Sequence, residues 1–296
     1  MDSLPVTVVI PAYNRPDMVR RAVGSALAQT PQPPAEVIVV DDCSTDETGE
    51  AAAQAGARVI RHDVNQGEGA ARNTGIENAS QPWIALLDSD DEWLPHLLAT
   101  LWPLRGDHVL VGGASLAREE GSARVIYGGP VSGEPFLLNT PRPLIYPENF
   151  IAASGTMVRR DVVREVGGYA PLKGGADMDL WIRVLERGSG AIARRPVVIY
   201  HRHPGQVTGD VEMMADAHRS IARAYDQRPW WDPATLERWE GAACYDAARR
   251  EWRLGRRGAA VRRLLSLASS RCRLAGALGI VARRAQLKRR SAAFTR

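Results

Sequence analysis

Five apolar residues, Trp83-Ile84-Ala85-Leu86-Leu87, run without a break into Asp88-Ser89-Asp90-Asp91. A short unbroken apolar run reads as a strand buried on both faces, the usual state in a parallel sheet. The aspartates then stand where that strand leaves the sheet. Open α/β sheets bind ligands in the crevice outside the carboxyl ends of their strands. Carboxylates crowded there repel one another unless a cation or a positive side chain lies between them. Oxygen ligands of this kind suit Mg²⁺ or Mn²⁺, held through one or two carboxylates together with substrate phosphates. The competing reading is a polar turn whose Asp caps the next helix.

The chain upstream alternates. Val6 to Ile10 is rich in β-branched residues and predicts a first strand, followed by the loop Pro11-Ala12-Tyr13-Asn14-Arg15. Pro16 opens a helix to Ala28, with Val19, Val23, Ala26 and Leu27 along one side. Glu36 to Val40 predicts a second strand that runs directly into Asp41-Asp42. Ser44-Thr45-Asp46-Glu47 fits a capping box with Ser44 as the cap, and that helix stops near Gly56. Ala57 to Arg61 is a third strand, Gly67-Glu68-Gly69 opens a helix to Ala79, and Trp83 to Leu87 is the fourth strand. This order argues for an α/β fold, a parallel sheet with helices on both faces. Right-handed crossovers bring the strand ends to one edge, so two acidic clusters and the Tyr13 loop face one crevice.

Beyond the fourth strand the pattern loosens. Pro95 to Leu104 predicts a helix, Val109 to Gly113 a strand and Arg124 to Tyr127 an edge strand. Gly128 to Asn149 is rich in Gly and Pro and reads as loop, a place for acceptor contacts. Gly155 to Val158 predicts a strand, and Asp161 to Val166 a short helix stopped by Gly167-Gly168. Asp177 to Leu185 begins an amphipathic helix, and Ile192 to Tyr200 holds one or two strands before the loop His201-Arg202-His203-Pro204-Gly205. From Asp210 the pattern is helical, near 211–226, 233–254, 259–269 and 274–290. Trp230, Trp231, Trp239 and Trp252 are expected to pack those helices together. The 296 residues thus divide into a unit over 1–208 and a helical C-terminal region over 209–296.

Charge is distributed unevenly. Arg249 to Arg296 holds 15 Lys and Arg against one acid, Glu251, while the rest holds 23 against 33. A basic tail on an acidic body points to an anionic partner. Leu274, Leu278, Val281 and Leu287 form an apolar side, with Arg283, Arg284, Lys288, Arg289 and Arg290 beside it. The expectation is peripheral contact with the inner, anionic face of a membrane. Nucleic acid is not expected, because no reading motif accompanies the charge. Cys43, Cys244 and Cys272 match no metal or redox spacing, which fits a reducing compartment. No secretory leader is read at the N-terminus, and no apolar run approaches the ~20 residues of a membrane span. The expected location is therefore cytoplasmic.

Gly67-Glu68-Gly69-Ala70-Ala71-Arg72 departs from a dinucleotide fingerprint, since Arg72 takes the third glycine position and the segment follows the third strand. Arg72 pairs better with Asp88 or with a phosphate, because its fork suits either. No Gly-Lys-Ser/Thr phosphate loop occurs. A nucleotidyltransferase would want a glycine-rich basic loop after the first strand, where this chain has Pro11-Ala12-Tyr13-Asn14. A non-catalytic scaffold would keep the acids around an inert nucleotide pocket.

Seven segments in order resemble family 2 glycosyltransferases of the GT-A fold. They are Val8-Val9-Ile10-Pro11-Ala12-Tyr13-Asn14-Arg15, Val39-Val40-Asp41-Asp42-Cys43-Ser44-Thr45-Asp46, Asn65-Gln66-Gly67 with Ala71-Arg72-Asn73, Leu87-Asp88-Ser89-Asp90-Asp91, Val166-Gly167-Gly168-Tyr169, Asp177-Met178-Asp179-Leu180-Trp181 and Arg202-His203-Pro204-Gly205. The resemblance runs from Val6 to about Thr208 and leaves out the helical region. It implies a Rossmann-like, mostly parallel sheet. It also implies inverting transfer of a sugar from a nucleotide-diphosphate donor to a hydroxyl or amine acceptor, with Mg²⁺ or Mn²⁺. Such acceptors are glycans, lipid-linked sugars or small molecules of cell-envelope or polysaccharide biosynthesis. By that likeness Pro11, Ala12, Tyr13 and Asp42 hold the nucleoside, Tyr13 by stacking and Asp42 by accepting a hydrogen bond. Arg15, Gly67, Arg72, Asp88 and Ser89 join the same nucleotide-sugar site. Asp88 and Asp90 are the DxD pair, with Asp90 the more direct metal contact and His203 opposite it. The family often has Glu-Asp where this chain has Ala176-Asp177, so the general base falls to Asp177, with Asp179 as its rival.

Overall fold

Residues 2–119, 122–127, 133–145, 151–201, 203, 211–253, 255–267, 270–271, 273–279 and 281–282 are described by a computed structural model. The first strand, β1 (Leu4–Ala12), is followed by α1 (Pro16–Leu27), β2 (Pro34–Asp41), α2 (Thr48–Gln54), β3 (Arg58–Arg61), α3 (Glu68–Asn78) and β4 (Trp83–Leu86). Next come β5 (Glu92–Trp93), α4 (Leu97–Leu101), β6 (Leu110–Glu119), β7 (Ser122–Tyr127), β8 (Phe136–Leu138), α5 (Arg142–Ile145), β9 (Thr156–Arg159) and α6 (Arg160–Glu165). The chain continues through α7 (Ala176–Leu185), β10 (Gly190–His201), α8 (Val211–Ala224), α9 (Pro233–Arg253) and α10 (Arg257–Leu267).

Alternating side chains explain why the sheet is covered twice. Val9, Ile84 and Leu86 join one buried cluster, with Ala71 and Ile76 of α3 and Leu180 and Trp181 of α7. Val8, Ile10 and Ala85 join the other, with Val19 and Val23 of α1 and Leu97 and Leu98 of α4. The sheet runs in the order β3-β2-β1-β4-β9-β6-β10-β5, with β7 beside β6 and β8 beside β10. β1 pairs in parallel with β2 and β4, β2 with β3, and β6 with β10. β9 is antiparallel to both of its neighbours, so it runs against the main direction. Helix α3 lies so close to β1 that a Cβ at Gly75 would stand 2.3 Å from Val9 Cγ1, which explains a glycine in mid-helix.

Three expectations change. Ser44 does not cap α2: its Oγ accepts the Asn14 N–H at 3.0 Å, and the helix begins at Thr48. The segment read as loop after Gly128 contains β8 and α5, because Leu138 and Leu144 are fully buried. Residues 190–201 form one strand, within the expectation of one or two. Trp252 is exposed under the Arg257 guanidinium, whereas Trp239 is buried and Trp230 packs against the main core. The expected boundary at 208/209 and the basic residues from Arg283 onward lie outside the described residues. Among the described residues, no helix is long and apolar enough to cross a membrane.

Candidate active site

The loops after β1 and β2 are stitched together. Asn14 and Cys43 take left-handed backbone conformations, with φ of 52° and 66°. Asn14 Oδ1 accepts the Thr45 N–H at 2.8 Å, and the Arg15 N–H donates to Thr48 Oγ1 at 2.7 Å. Pro11 and Ala12 are the buried end of β1, and Tyr13 beyond them is 44% exposed, its ring open for stacking. Asp42 is buried beneath. Its carboxylate accepts the N–H groups of Gln66 and Gly67 at 2.9 and 2.7 Å and meets His62 Nδ1 at 2.7 Å. Asp42 therefore fixes the turn at Gly67, whose φ is 88°, and so aims the start of α3.

That aim delivers Arg72 to the acids. The Asp88 N–H donates to Ser154 Oγ at 2.9 Å, and Ser89 is buried in the turn that follows. Asp88, Asp90 and Asp91 bring carboxylate oxygens within 4.8 Å of one another. Arg72, with only 4% of its side chain exposed, donates to Asp88 Oδ1 at 2.5 Å and also pairs with Glu68. Arg15 Nη1 reaches Asp90 Oδ2 at 2.8 Å, Arg21 donates to the Asp90 carbonyl at 2.9 Å, and His203 Nε2 lies 2.7 Å from the same Oδ2. β10 carries His201 and His203 to this cluster, and the His201 N–H points to Asp91 Oδ1 at 3.4 Å.

Burial and mutual repulsion raise several of these carboxyl groups. Burial, then Asp90 and Asp177, push the Asp88 carboxyl up against the pull of Arg72. Burial and Asp88 push Asp91 well above the ordinary carboxylate range. Arg72 pulls Glu68 down, but burial and the charges of Asp88, Asp177 and Asp90 win and lift it to about 7. Half of the Glu68 side chain is open to solvent, so water screens part of that repulsion. Three carboxylates beside an imidazole are an oxygen-rich donor set that fits Mg²⁺ or Mn²⁺.

Across the crevice, α7 starts after Gly175, whose φ of 71° is left-handed. Asp177 in its first turn accepts the Tyr169 O–H at 2.9 Å on Oδ1, and Arg72 Nη1 lies 3.5 Å from the same atom. Asp179 faces elsewhere. Arg183 holds its Oδ2 at 2.5 and 2.9 Å, and Tyr225 donates to its Oδ1 at 2.8 Å. Arg183 thus holds Oδ2 within α7, and Oδ1 ties that helix to Tyr225 just past α8.

Residues 7–167 match the family described as Glycosyl transferase family 2. The chain belongs to glycosyl transferase family 2. Over 245 residues it is 32% identical to the succinoglycan biosynthesis protein ExoU of Rhizobium meliloti, a match covering 73% of this chain and 65% of ExoU, just under two thirds of that relative's length. Its fold is similar to that of S. aureus TarS residues 1–349 solved with UDP-GlcNAc, at TM-score 0.65, 18% identity and coverage of 82% of this chain and 72% of that one. The mannosyltransferase PcManGT of Pyrobaculum calidifontis, solved with GDP-Man and Mn²⁺, superposes at TM-score 0.62 with 16% identity, over 99% of this chain and 83% of its own. The family 2 chain accordingly has the GT-A architecture, with helices added at its C-terminal side.

In this family 2 chain the crevice gathers Arg15, Asp42, Gly67, Arg72, Asp88, Ser89, Asp90, Asp177 and His203 around the ends of β1, β2, β4 and β10. Sequence reasoning passed over His62, which braces Asp42 and touches Thr74 Oγ1 at 2.9 Å, and no spacing signals it. It also passed over Glu68 and Tyr169. Tyr169 closes the Val166-Gly167-Gly168-Tyr169 segment, which was the signal available.

Proposed function

We propose that this chain transfers a sugar from a nucleotide-diphosphate donor to a hydroxyl or amine acceptor with inversion, in one displacement, using Asp177 as general base. The observation that carries this reading is Arg72, one buried guanidinium that touches Asp88 on the donor side and Asp177 across the crevice. The nucleoside lies against Pro11, Ala12 and Tyr13, above Asp42, with Arg15, Gly67 and Ser89 beside the diphosphate. Asp90 and His203 would hold Mg²⁺ or Mn²⁺, which would neutralise charge on the leaving diphosphate. The acceptor hydroxyl gives its proton to Asp177 as its oxygen attacks the anomeric carbon. The bond from that carbon to the diphosphate oxygen breaks, and its electron pair leaves on the diphosphate. Attack opposite the leaving group inverts the centre. The acceptor class is a glycan, a lipid-linked sugar or a small molecule. Incubation with UDP-glucose, UDP-N-acetylglucosamine and GDP-mannose plus Mn²⁺ tests the reading. Release of nucleoside diphosphate from at least one donor, lost in EDTA, is the expected result. Equal release in excess EDTA removes the metal from the mechanism, and tight binding of all donors without turnover makes the chain a scaffold.

The reading includes cytoplasmic work at the inner face of an anionic membrane. Leu264, Leu265 and Val261 of α10 are exposed together, Leu265 by 68%, and so are Leu274 and Leu278 beyond it. Arg262, Arg263 and Arg271 are exposed among them. An apolar stripe edged by cations lies in an interface, and each basic residue near an anionic surface is worth about 1 kcal/mol. Vesicles containing phosphatidylglycerol should pull the protein down at low salt and release it at high salt. Sedimentation unchanged by Leu265→Glu with Leu278→Glu would remove this surface from the reading.

A further inference from the structure

We infer that Tyr169 is a positioning residue for sugar transfer, its hydroxyl holding one oxygen of Asp177 so that the other meets the acceptor. The inference rests on Asp177 being the base. Tyr169 is buried, and its main chain is clamped by one side chain from far away in sequence. Asn73 Oδ1 accepts the Tyr169 N–H at 2.7 Å, and Asn73 Nδ2 donates to the Tyr169 carbonyl at 2.9 Å. The clamp is tight: a Cβ on Gly168 would stand 2.5 Å from Asn73 Oδ1, and Gly168 has φ of 66°. The same helix α3 supplies Arg72, whose Cζ lies 5.1 Å from the centre of the Tyr169 ring. Main chain and ring are therefore both held before the hydroxyl does anything.

The hydroxyl has one task. Burial, then the neighbouring Asp177, lifts the phenol well above its ordinary range, so it keeps its proton and donates. Its donation and the Arg72 approach both fall on Asp177 Oδ1. Among the described residues, Asp177 Oδ2 makes no hydrogen bond. A carboxylate tied through one oxygen keeps a lone pair of the other at a fixed direction, which is what a proton-accepting group needs. Without the tie, Asp177 turns freely beside Arg72 and lies in the productive direction for a smaller share of encounters. A Tyr169 that only fills the core would need its ring and nothing more.

Tyr169→Phe separates the two roles, because it keeps the ring and both Asn73 bonds. The assay is release of nucleoside diphosphate from whichever of UDP-glucose, UDP-N-acetylglucosamine and GDP-mannose the wild type turns over, with water as acceptor. Rates are taken well below each variant's melting temperature. The expected result is a kcat lower by about 10- to 100-fold, the rate value of one hydrogen bond to a charged group, with donor KM unchanged. Added to Asp177→Asn, Tyr169→Phe should cost nothing more, because it acts through Asp177. Placing p-aminophenylalanine at 169, which restores a donor on the same ring, should recover the rate. A wild-type kcat for Tyr169→Phe beside a dead Asp177→Asn overturns the inference and leaves the base assignment standing. Independent, multiplying losses in the double variant overturn it too. Normal turnover by Asp177→Asn removes the base and the inference together.

Discussion

Asp90→Ala is expected to lower nucleoside diphosphate release by roughly 10³-fold or more, the rate equivalent of several kcal/mol of lost charge stabilisation. Asp90 is the member of the acidic trio that both Arg15 and His203 already approach, on the same oxygen. A carboxylate oxygen and the His203 imidazole side by side are ligand types that suit a divalent ion such as Mn²⁺. Titration calorimetry should show Mn²⁺ binding lost in the variant. Its melting temperature should stay close to wild type, because removing one of three mutually repelling carboxylates relieves as much as it removes. Retained Mn²⁺ affinity together with retained turnover would move the metal away from Asp90 altogether.

Asp177→Asn should lower turnover by about 10²–10⁴-fold, the usual worth of a general base, while donor affinity and stability stay near wild type. Asn still accepts the Tyr169 O–H, so the local bonding survives and only the basic oxygen is lost. Asp179→Asn should do the reverse. It weakens the bonds to Arg183 and Tyr225 and costs about 1–3 kcal/mol of stability, yet turnover below the melting range persists. An inactive Asp179→Asn with an active Asp177→Asn would exchange their roles.

Much of this was readable from residue order. Alternating strand and helix patterns through Trp83 gave four parallel strands, because each element's apolar period is local and each crossover has one hand. The apolar run into Asp88 located the acidic corner for the same reason. What could not be read depends on partners far along the chain. Asp177 and Asp179 lie two apart in one helix, and partners distinguish them: Arg183 and Tyr225, the latter 46 residues on, take the oxygens of Asp179, whereas Tyr169 takes one oxygen of Asp177. Asp42 looked like a group waiting for a base, yet its oxygens are engaged by Gln66, Gly67 and His62. The strand β8, of which only Leu138 is buried, hid inside a Gly- and Pro-rich stretch, because three residues are too few to show a period.

β9 runs against the strands on either side of it, and this reverses which flank of a strand meets the substrate. For β1, β2 and β4, the chain reaches the crevice as it leaves the strand. For β9, it reaches the crevice on the way in: Thr156 pairs with Leu86, the last residue of β4, while Arg159 pairs with Trp83 at the far edge. Ser154, just ahead of β9, holds the Asp88 main chain for that reason. A residue just ahead of Thr156 therefore stands at the mouth of the site, whereas one just past Arg159 stands at the opposite end of the sheet.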